Sequence, residues 1–161
     1  WLGLEASPAG AIVFDADLVY EHSILKRFLD APDSNGILVG TGSLDDIECA
    51  KVLMDGGDCV RKTIDKRAIT ETELQELCFV GEAIGVLKFD ASTRAALTTF
   101  TEAFLSDSAN AMLNWEHLFN QFLPAHDIAC HFEPSGQWVE IDTPEDYVLA
   151  LEKFASGAEE A

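Results

Sequence analysis

Two pairs of carboxylates, each spaced by one residue, are the side chains of this sequence best suited to chemistry. Asp15 and Asp17 follow a short apolar run at 11–14, and Glu140 and Asp142 recur near the C-terminus. Side chains two residues apart on an extended strand project from the same face. Paired carboxylates repel each other, and Mg²⁺, which prefers oxygen ligands, relieves that repulsion. The spacing therefore predicts a Mg²⁺ site formed where two strands end.

A structural role is the alternative, because aspartate is also a good helix N-cap. For the first pair both roles remain open. For the second pair, Thr143 is a suitable N-cap and Pro144 suits the first helical position, so Asp142 is not needed as a cap. We therefore expect Asp17 and Asp142 to come together around one divalent cation, with carboxylates within roughly 6 Å of each other.

The elements that must position these acids alternate between strands and helices, as in an α/β domain. A hairpin is expected around Asp55-Gly56-Gly57-Asp58, and a capping box at Thr70 and Glu73. The predicted strands are 11–14, 37–39, 50–54, 59–64, 79–90, 128–132 and 139–141. The predicted helices are 21–29, 70–77, 92–105, 110–123 and 144–154.

Composition limits the classes of function. The chain has 161 residues, 48% of them hydrophobic, and a net charge of −19. We expect one domain over residues 1–154 and a frayed acidic tail at 155–161. Such a charge argues against nucleic acid and anionic membranes as partners. The four cysteines form no C-x-x-C pair, and no apolar run reaches eighteen residues, so a reducing cytoplasmic compartment is expected.

A series of segments also occurs in a familiar order. These segments are 14–20 (FDADLVY), Lys51-Val52, 81–89 (GEAIGVLKF), Trp115-Glu116 and 138–146 (WVEIDTPED). Their order resembles the sugar-phosphate nucleotidyltransferase family, above all its phosphocholine and 2-aminoethylphosphonate cytidylyltransferases. The resemblance covers nearly all of the chain. It implies a GT-A-like Rossmannoid α/β fold with a β-hairpin insertion, and transfer of a nucleotidyl group from an NTP, with CTP expected, to a phosphorylated small molecule. It also implies a Mg²⁺ cofactor, with Asp17 and Asp142 as catalytic metal ligands and Glu140 as a third ligand, directly or through water.

The sequence departs from this family in one respect. Family members begin with a glycine-rich G-x-G-x-R loop and a following lysine that hold the NTP phosphates, and no such motif is present here. The resemblance is therefore to the C-terminal two-thirds of a member, without the N-terminal nucleotide-binding segment. We expect the strand 11–14 to present a bare apolar edge that another copy, or the N-terminal segment, covers. We also expect no nucleotidyl transfer by residues 1–161 alone.

Five further residues are candidates for substrate binding. The resemblance makes Lys51 a candidate contact to the substrate phosphate. Glu82 lies in an apolar strand, where an unpaired buried acid is costly, so it faces either solvent or a ligand. Trp115 with Glu116, and Trp138, combine aromatic and acidic groups that suit an ammonium group. The alternatives are an edge charge for Lys51 and core positions for both tryptophans. The acceptor is thus predicted to carry a cationic head and a phosphate or phosphonate.

Two other functions remain open. A GT-A glycosyltransferase also uses a D-x-D motif to hold a metal on a nucleotide-sugar, but the second acid pair and the hairpin with Lys51 count against it. A truncated, non-catalytic binding or assembly domain would explain the missing glycine-rich loop. The three candidate functions can be separated by testing whether the protein releases pyrophosphate, transfers a sugar or does neither.

Overall fold

The computed structural model describes residues 2–135 and 137–154, so Trp1 and the predicted tail at 155–161 lie outside the described residues. The strands are Gly10–Phe14 (β1), Leu18–Tyr20 (β2), Gly36–Gly40 (β3), Lys51–Met54 (β4), Val60–Ile64 (β5), Cys78–Asp90 (β6), Ala129–Phe132 (β7) and Trp138–Glu140 (β8). The helices are Leu2–Glu5 (α1), His22–Asp30 (α2), Glu71–Glu76 (α3), Ala91–Leu105 (α4), Trp115–Phe122 (α5) and Pro144–Phe154 (α6). None of these helices is both long and apolar enough to cross a membrane.

The long strand β6 organises the main sheet. On one edge it pairs with β3, and on the other it pairs with β4 along its first half and β1 along its second half. The order β5-β4-β6-β3-β7 completes the sheet, and within the described part of the chain β1 is joined to β6 only. Every pairing is antiparallel except β3 with β7. The predicted α/β fold with a hairpin is therefore confirmed, around a mostly antiparallel sheet.

Apolar cores cover both faces of this sheet, because alternate residues of each strand face opposite ways. On one face, Ile37 and Val39 of β3 belong to a core shared with α4 and α5. On the other face, Leu38 packs with Ile24 and Phe28, which lie one helical turn apart on α2. Strand β3 is thus buried on both faces, as its continuous apolar sequence predicts.

Several elements predicted from local sequence signals are confirmed, and one helix start is not. Strands β4 and β5 form the predicted hairpin, in which Gly57 N donates to Asp55 Oδ1 over 2.8 Å. The capping box of Thr70 and Glu73 is present at the start of α3. The helix predicted from residue 110 was wrong at its start: a 3₁₀ turn occupies Ser108–Asn110, and α5 begins only at Trp115.

The pairing of β2 with β8 was not predicted. These two short antiparallel strands form a separate sheet, with Leu18 opposite Glu140 and Tyr20 opposite Trp138. The chain turns after Phe14 instead of continuing extended, so Asp15 and Asp17 do not lie on one strand. The expectation that they project from one strand face was therefore wrong. It is β2, rather than the end of β1, that carries Asp17 toward the second acid pair.

Strand β1 has an unpaired edge within the described residues, because β6 occupies its other side. Ile12 is 46% exposed and Phe14 is 41% exposed. Beside the strand, a cavity of about 560 Å³ is lined by apolar side chains that include Leu4, Val13 and Leu118. The bare apolar edge expected from the sequence is present. What covers it stays a prediction.

Candidate functional site

Three acids from the two predicted pairs come together. Asp17, Glu140 and Asp142 are exposed, and each offers a carboxylate oxygen within 4.8 Å of the others. The β2–β8 pairing causes this, since Leu18 lies opposite Glu140 and Ile141 N donates to Asp17 O over 2.9 Å. The predicted approach of Asp17 and Asp142 is thus met. Oxygens this close can share one ion at ligand distances of about 2.0–2.6 Å.

The first turn of α6 leaves Asp142 available for a ligand. Asp146 Oδ2 accepts hydrogen bonds from Thr143 N over 2.9 Å and from Thr143 Oγ1 over 2.7 Å. Asp146 N in turn donates to Thr143 Oγ1 over 3.2 Å. This reciprocal pair caps the helix without Asp142, as the sequence predicted. Desolvation, followed by the charges of Asp142 and Asp17, raises the pKa of Glu140. A bound cation would offset that repulsion, so the three acids suit a divalent ion.

Asp15 occupies a different position from Asp17. Its backbone N donates to Gly85 O over 2.9 Å. Gly85 has a φ of +74°, and a Cβ there would lie 2.3 Å from Asp15 Oδ2. The Asp15 side chain therefore packs directly against Gly85. Asp15 lies in the wall between the apolar cavity beside β1 and a second, acidic cavity. Burial and the charge of Asp17 raise the pKa of its carboxyl.

The second cavity, which we call the acidic pocket, has a volume of about 430 Å³. Its acidic lining residues are Asp15, Asp46, Glu48, Asp65, Glu82, Glu116, Glu140 and Asp142. Lys66 is the one basic residue among the described lining residues. The pocket is continuous with the metal-ligand candidates through Glu140 and Asp142. Such a lining favours ligands that carry or are accompanied by positive charge.

Three of the predicted substrate residues line the acidic pocket. Glu82 and Glu116 are acids at its wall, and Trp115 is beside them. Burial raises the pKa of Glu82. Burial also raises the pKa of Glu116 to about 7, and the negative charges of Asp65 and Asp15 contribute to that rise. Trp115 also packs edge-on against Phe119, with ring centroids 5.7 Å apart. Trp115 therefore belongs to both the core and the pocket lining. Its position is compatible with both roles considered from the sequence, a core residue and a substrate contact.

The other two predicted substrate residues lie outside the pocket lining. Lys51 is fully buried, and its Nζ donates to the carbonyls of Asp46, Cys49 and Arg67. Its charge thus holds loops together, which does not support the predicted phosphate contact. Trp138 packs against the core around α2, and a Cβ on Gly40 would lie 2.5 Å from its Nε1. This placement favours the alternative core role for Trp138.

Sequence reasoning missed Lys66, the basic residue that does line the pocket. It follows β5 in the segment Asp65-Lys66-Arg67, is exposed, and has a φ of 49°. A non-glycine residue in this left-handed region is uncommon. The available signal was a basic run directly after the hairpin. The order of the family segments pointed instead to Lys51, on the first strand of the hairpin.

The role of Lys51 gives a first testable prediction. Replacing it with methionine keeps the apolar stem but leaves three carbonyls without their donor. We expect a loss of about 2–4 kcal/mol in the free energy of unfolding, measured with urea at pH 7. Lys26→Met, at a side chain 65% exposed on α2, is the matched control and should change stability by less than about 0.5 kcal/mol. Equal effects of the two substitutions would contradict the structural role.

Comparison with known proteins extends this description. No protein-family model matches the sequence, and no curated protein matches it. Solved structures do match. The CTP:phosphocholine cytidylyltransferase from Streptococcus pneumoniae has a TM-score of 0.69 and 18% identity, over 93% of this chain and 60% of that one. The inositol-1-phosphate CTP transferase from T. maritima has a TM-score of 0.61 and 17% identity, over 96% and 61%.

A third similar structure is a UTP-bound UGPase from Acinetobacter baumannii. It has a TM-score of 0.61 and 10% identity, and the match covers 94% of this chain and 53% of that one. The chain thus spans 53–61% of the length of these three structures. Such likeness at low identity concerns the fold. The chain has the fold of a large part of the nucleotidyltransferases, as the resemblance in its sequence predicted.

Proposed function

We propose that this chain carries the metal site and acceptor pocket of a Mg²⁺-dependent nucleotidyltransferase. The reaction joins an NTP, with CTP expected, to a phosphorylated small molecule and releases pyrophosphate. One observation carries the proposal: on a nucleotidyltransferase-like fold, three converging carboxylates adjoin a pocket that contains one lysine. Carboxylates plus substrate phosphates are the usual ligands of Mg²⁺ in such reactions.

The residues have separate tasks in this reaction. Asp17, Glu140 and Asp142 would hold Mg²⁺, which when bound neutralises charge on the transferring phosphoryl group. An acceptor phosphate oxygen forms a bond to the α-phosphorus of the NTP, and the bond from that phosphorus to pyrophosphate breaks in line. No protein nucleophile is needed, so the chain contributes positioning and electrostatic stabilisation. Lys66, the basic residue in the described pocket lining, is proposed to hold the acceptor phosphate.

The acceptor is proposed to be phosphocholine-like or an aminoalkylphosphonate. A phosphate or phosphonate at Lys66 and a cationic group against the remaining carboxylates would both find opposite charge in the acidic pocket. Trp115 offers an aromatic face beside Glu116, which suits an ammonium group. One similar solved structure is a cytidylyltransferase that acts on phosphocholine. These features together support a phosphocholine-like or aminoalkylphosphonate acceptor.

The nucleotide is proposed to bind next to β1. The similar structures extend well beyond the part that this chain matches. The unpaired edge of β1 and the apolar cavity beside it suit cover by further polypeptide, either an N-terminal segment or another copy. We propose that this cover completes the site for the NTP phosphates. The cytoplasm remains the proposed compartment.

Pyrophosphate release tests the proposed function. The protein expressed from its complete reading frame would be assayed with CTP, UTP and Mg²⁺ against phosphocholine, 2-aminoethylphosphonate and glucose 1-phosphate. We expect CTP-dependent release with the amine-containing acceptors. Preference for glucose 1-phosphate would overturn the acceptor assignment and leave the reaction intact. Sugar transfer from a nucleotide-sugar without pyrophosphate release would favour the glycosyltransferase. Absence of both activities would favour a binding or assembly domain.

Lys66 gives a second prediction. Lys66→Gln is expected to raise the KM for the acceptor by about tenfold or more, because one charge-assisted contact to the phosphate is lost. The value of kcat should change less, since Lys66 is proposed to hold the acceptor in ground and transition states alike. Lys26→Gln on α2, which removes the same charge at a residue outside the pocket lining, should leave KM unchanged. An unaltered KM in Lys66→Gln would exclude the phosphate contact.

A further inference from the structure

One carboxylate oxygen in the acidic pocket has no hydrogen-bond donor. Glu116 is only 8% exposed, and among the described residues its Oε2 has no partner. The residue lies in the first turn of α5 and in the wall of the pocket, near Asp15 and Asp65. Buried polar atoms in folded proteins nearly always find a partner. A ligand that brings an N–H group into the pocket would supply the missing donor.

The two kinds of cationic head differ in what they can supply. A primary ammonium has three N–H donors and can satisfy several carboxylate oxygens at once. A quaternary ammonium has no N–H group, and proteins bind it mainly with cages of aromatic faces. The chemistry of the pocket lining therefore discriminates between an aminoalkyl compound and a choline compound.

The lining matches the first kind of head. Trp115 is the one aromatic residue among the described lining residues, so no cage surrounds a trimethylammonium group. Trp138, the other aromatic candidate, packs in the core on the α2 side of the sheet. The carboxylates of Asp15, Asp65 and Glu82 accompany Glu116 in the lining. Acceptors of hydrogen bonds are thus abundant, whereas aromatic faces are scarce.

We infer that the acidic pocket takes a primary ammonium group, with Glu116 accepting one of its N–H bonds. The acceptor is then an aminoalkyl phosphate or phosphonate rather than a choline ester. This inference rests on the proposed function, because Lys66 and the metal-binding acids must hold the phosphate end. Lys66 and Glu116 both line the acidic pocket, so the two ends of a short ligand can meet their partners within it.

Phosphoethanolamine and phosphocholine form a matched pair of probes, because they differ only in the three N-methyl groups. Their affinities for the protein from its complete reading frame would be measured by calorimetry at pH 7 with Mg²⁺. We expect phosphoethanolamine to bind at least about tenfold more tightly, as charge-assisted hydrogen bonds are the stronger ones. Equal binding, tighter binding of phosphocholine, or binding of neither probe would overturn the inference.

A substitution assigns the preference to the named residue. Glu116→Gln should bring the ratio of the two affinities to within about threefold, because the charged acceptor is gone. Glu71→Gln, an exposed acid on α3 outside the pocket lining, is the matched control and should leave the ratio unchanged. Circular dichroism would verify that both variants fold. A full preference retained in Glu116→Gln would also overturn the role of Glu116.

Failure of this inference is distinguishable from failure of the proposed function. Pyrophosphate release with phosphocholine preferred over phosphoethanolamine would reject the primary ammonium and keep the nucleotidyltransferase. No release with any phosphorylated acceptor would reject the proposed function itself. The calorimetric ratio does not depend on turnover, so it still decides whether the pocket prefers an N–H donor.

Discussion

Asp142→Asn is expected to weaken divalent-ion binding by about 100-fold or more. Loss of a residue that only orients a metal ligand typically costs about 10–100-fold, so loss of a charged ligand should cost at least the upper value. Asp142 is well placed for this test because Thr143 and Asp146 cap α6 without it. The fold should therefore survive the substitution. Titration with Mn²⁺, followed by electron paramagnetic resonance, measures the affinity directly.

Glu145→Gln is the matched control for that experiment. Glu145 is exposed in the first turn of α6, three residues from Asp142, and lies outside the group of three converging acids. Removal of its charge tests whether a general reduction of the net charge of −19 explains any loss of ion binding. Equal losses in the two variants would mean that ions bind to the acidic surface at large, and the assigned metal site would be wrong.

Gly81→Ala is the substitution expected to be most damaging to the sheet. A Cβ at Gly81 would lie 2.0 Å from the backbone oxygen of Gly40 and 3.1 Å from a methyl group of Val39. Backbone atoms cannot rotate away as a flexible side chain can. Strands β3 and β6 would have to separate, at a cost of about 3 kcal/mol or more in the free energy of unfolding.

The same change should disturb the acidic pocket, because Glu82 is the next residue along β6. Chemical denaturation measures the loss of stability, and calorimetry with phosphoethanolamine measures the effect on the pocket. Gly56→Ala provides the control, since a Cβ at Gly56 meets no atom within 4 Å. Its stability should change by less than about 0.5 kcal/mol. A comparable stability for the two variants would show that β3 can shift without cost.

The sequence predicted those features that depend on local pattern. The hairpin at Asp55–Asp58, the capping box of Thr70 and Glu73, and the strand now assigned as β6 all follow from turn chemistry or apolar periodicity within a few residues. The approach of Asp17 to Asp142 was also predicted, but it is the pairing of β2 with β8, rather than the end of β1, that brings them together. A three-residue strand such as β2 shows too little alternation to be distinguished from a turn.

The positions of the lysines show why the rest was not predictable. Alternation along β4 does not reveal which side of the strand is buried, and a lysine is normally exposed. Lys51 is buried because its ammonium meets carbonyls of Asp46, Cys49 and Arg67, and the contact to Arg67 exists only after the chain folds. Lys66 lines the pocket for a similar reason, since its surroundings come from segments such as 46–50 and 114–116. Interactions of this kind leave no local pattern in the sequence.

The pairing of three strands with β6 also limits when the sheet can form during synthesis, because these strands must wait for β6. Strands β1, β3 and β4 all pair with β6, which ends at Asp90. At about 5–20 residues per second, β1 waits roughly 4–15 s between leaving the peptidyl-transferase centre and the synthesis of its partner. Once β1 has left the ribosomal exit tunnel, its apolar residues are available to chaperones, or to neighbouring nascent chains, until β6 follows. The rate of translation between β1 and β6 should therefore influence how much of this protein reaches its native state in the cell.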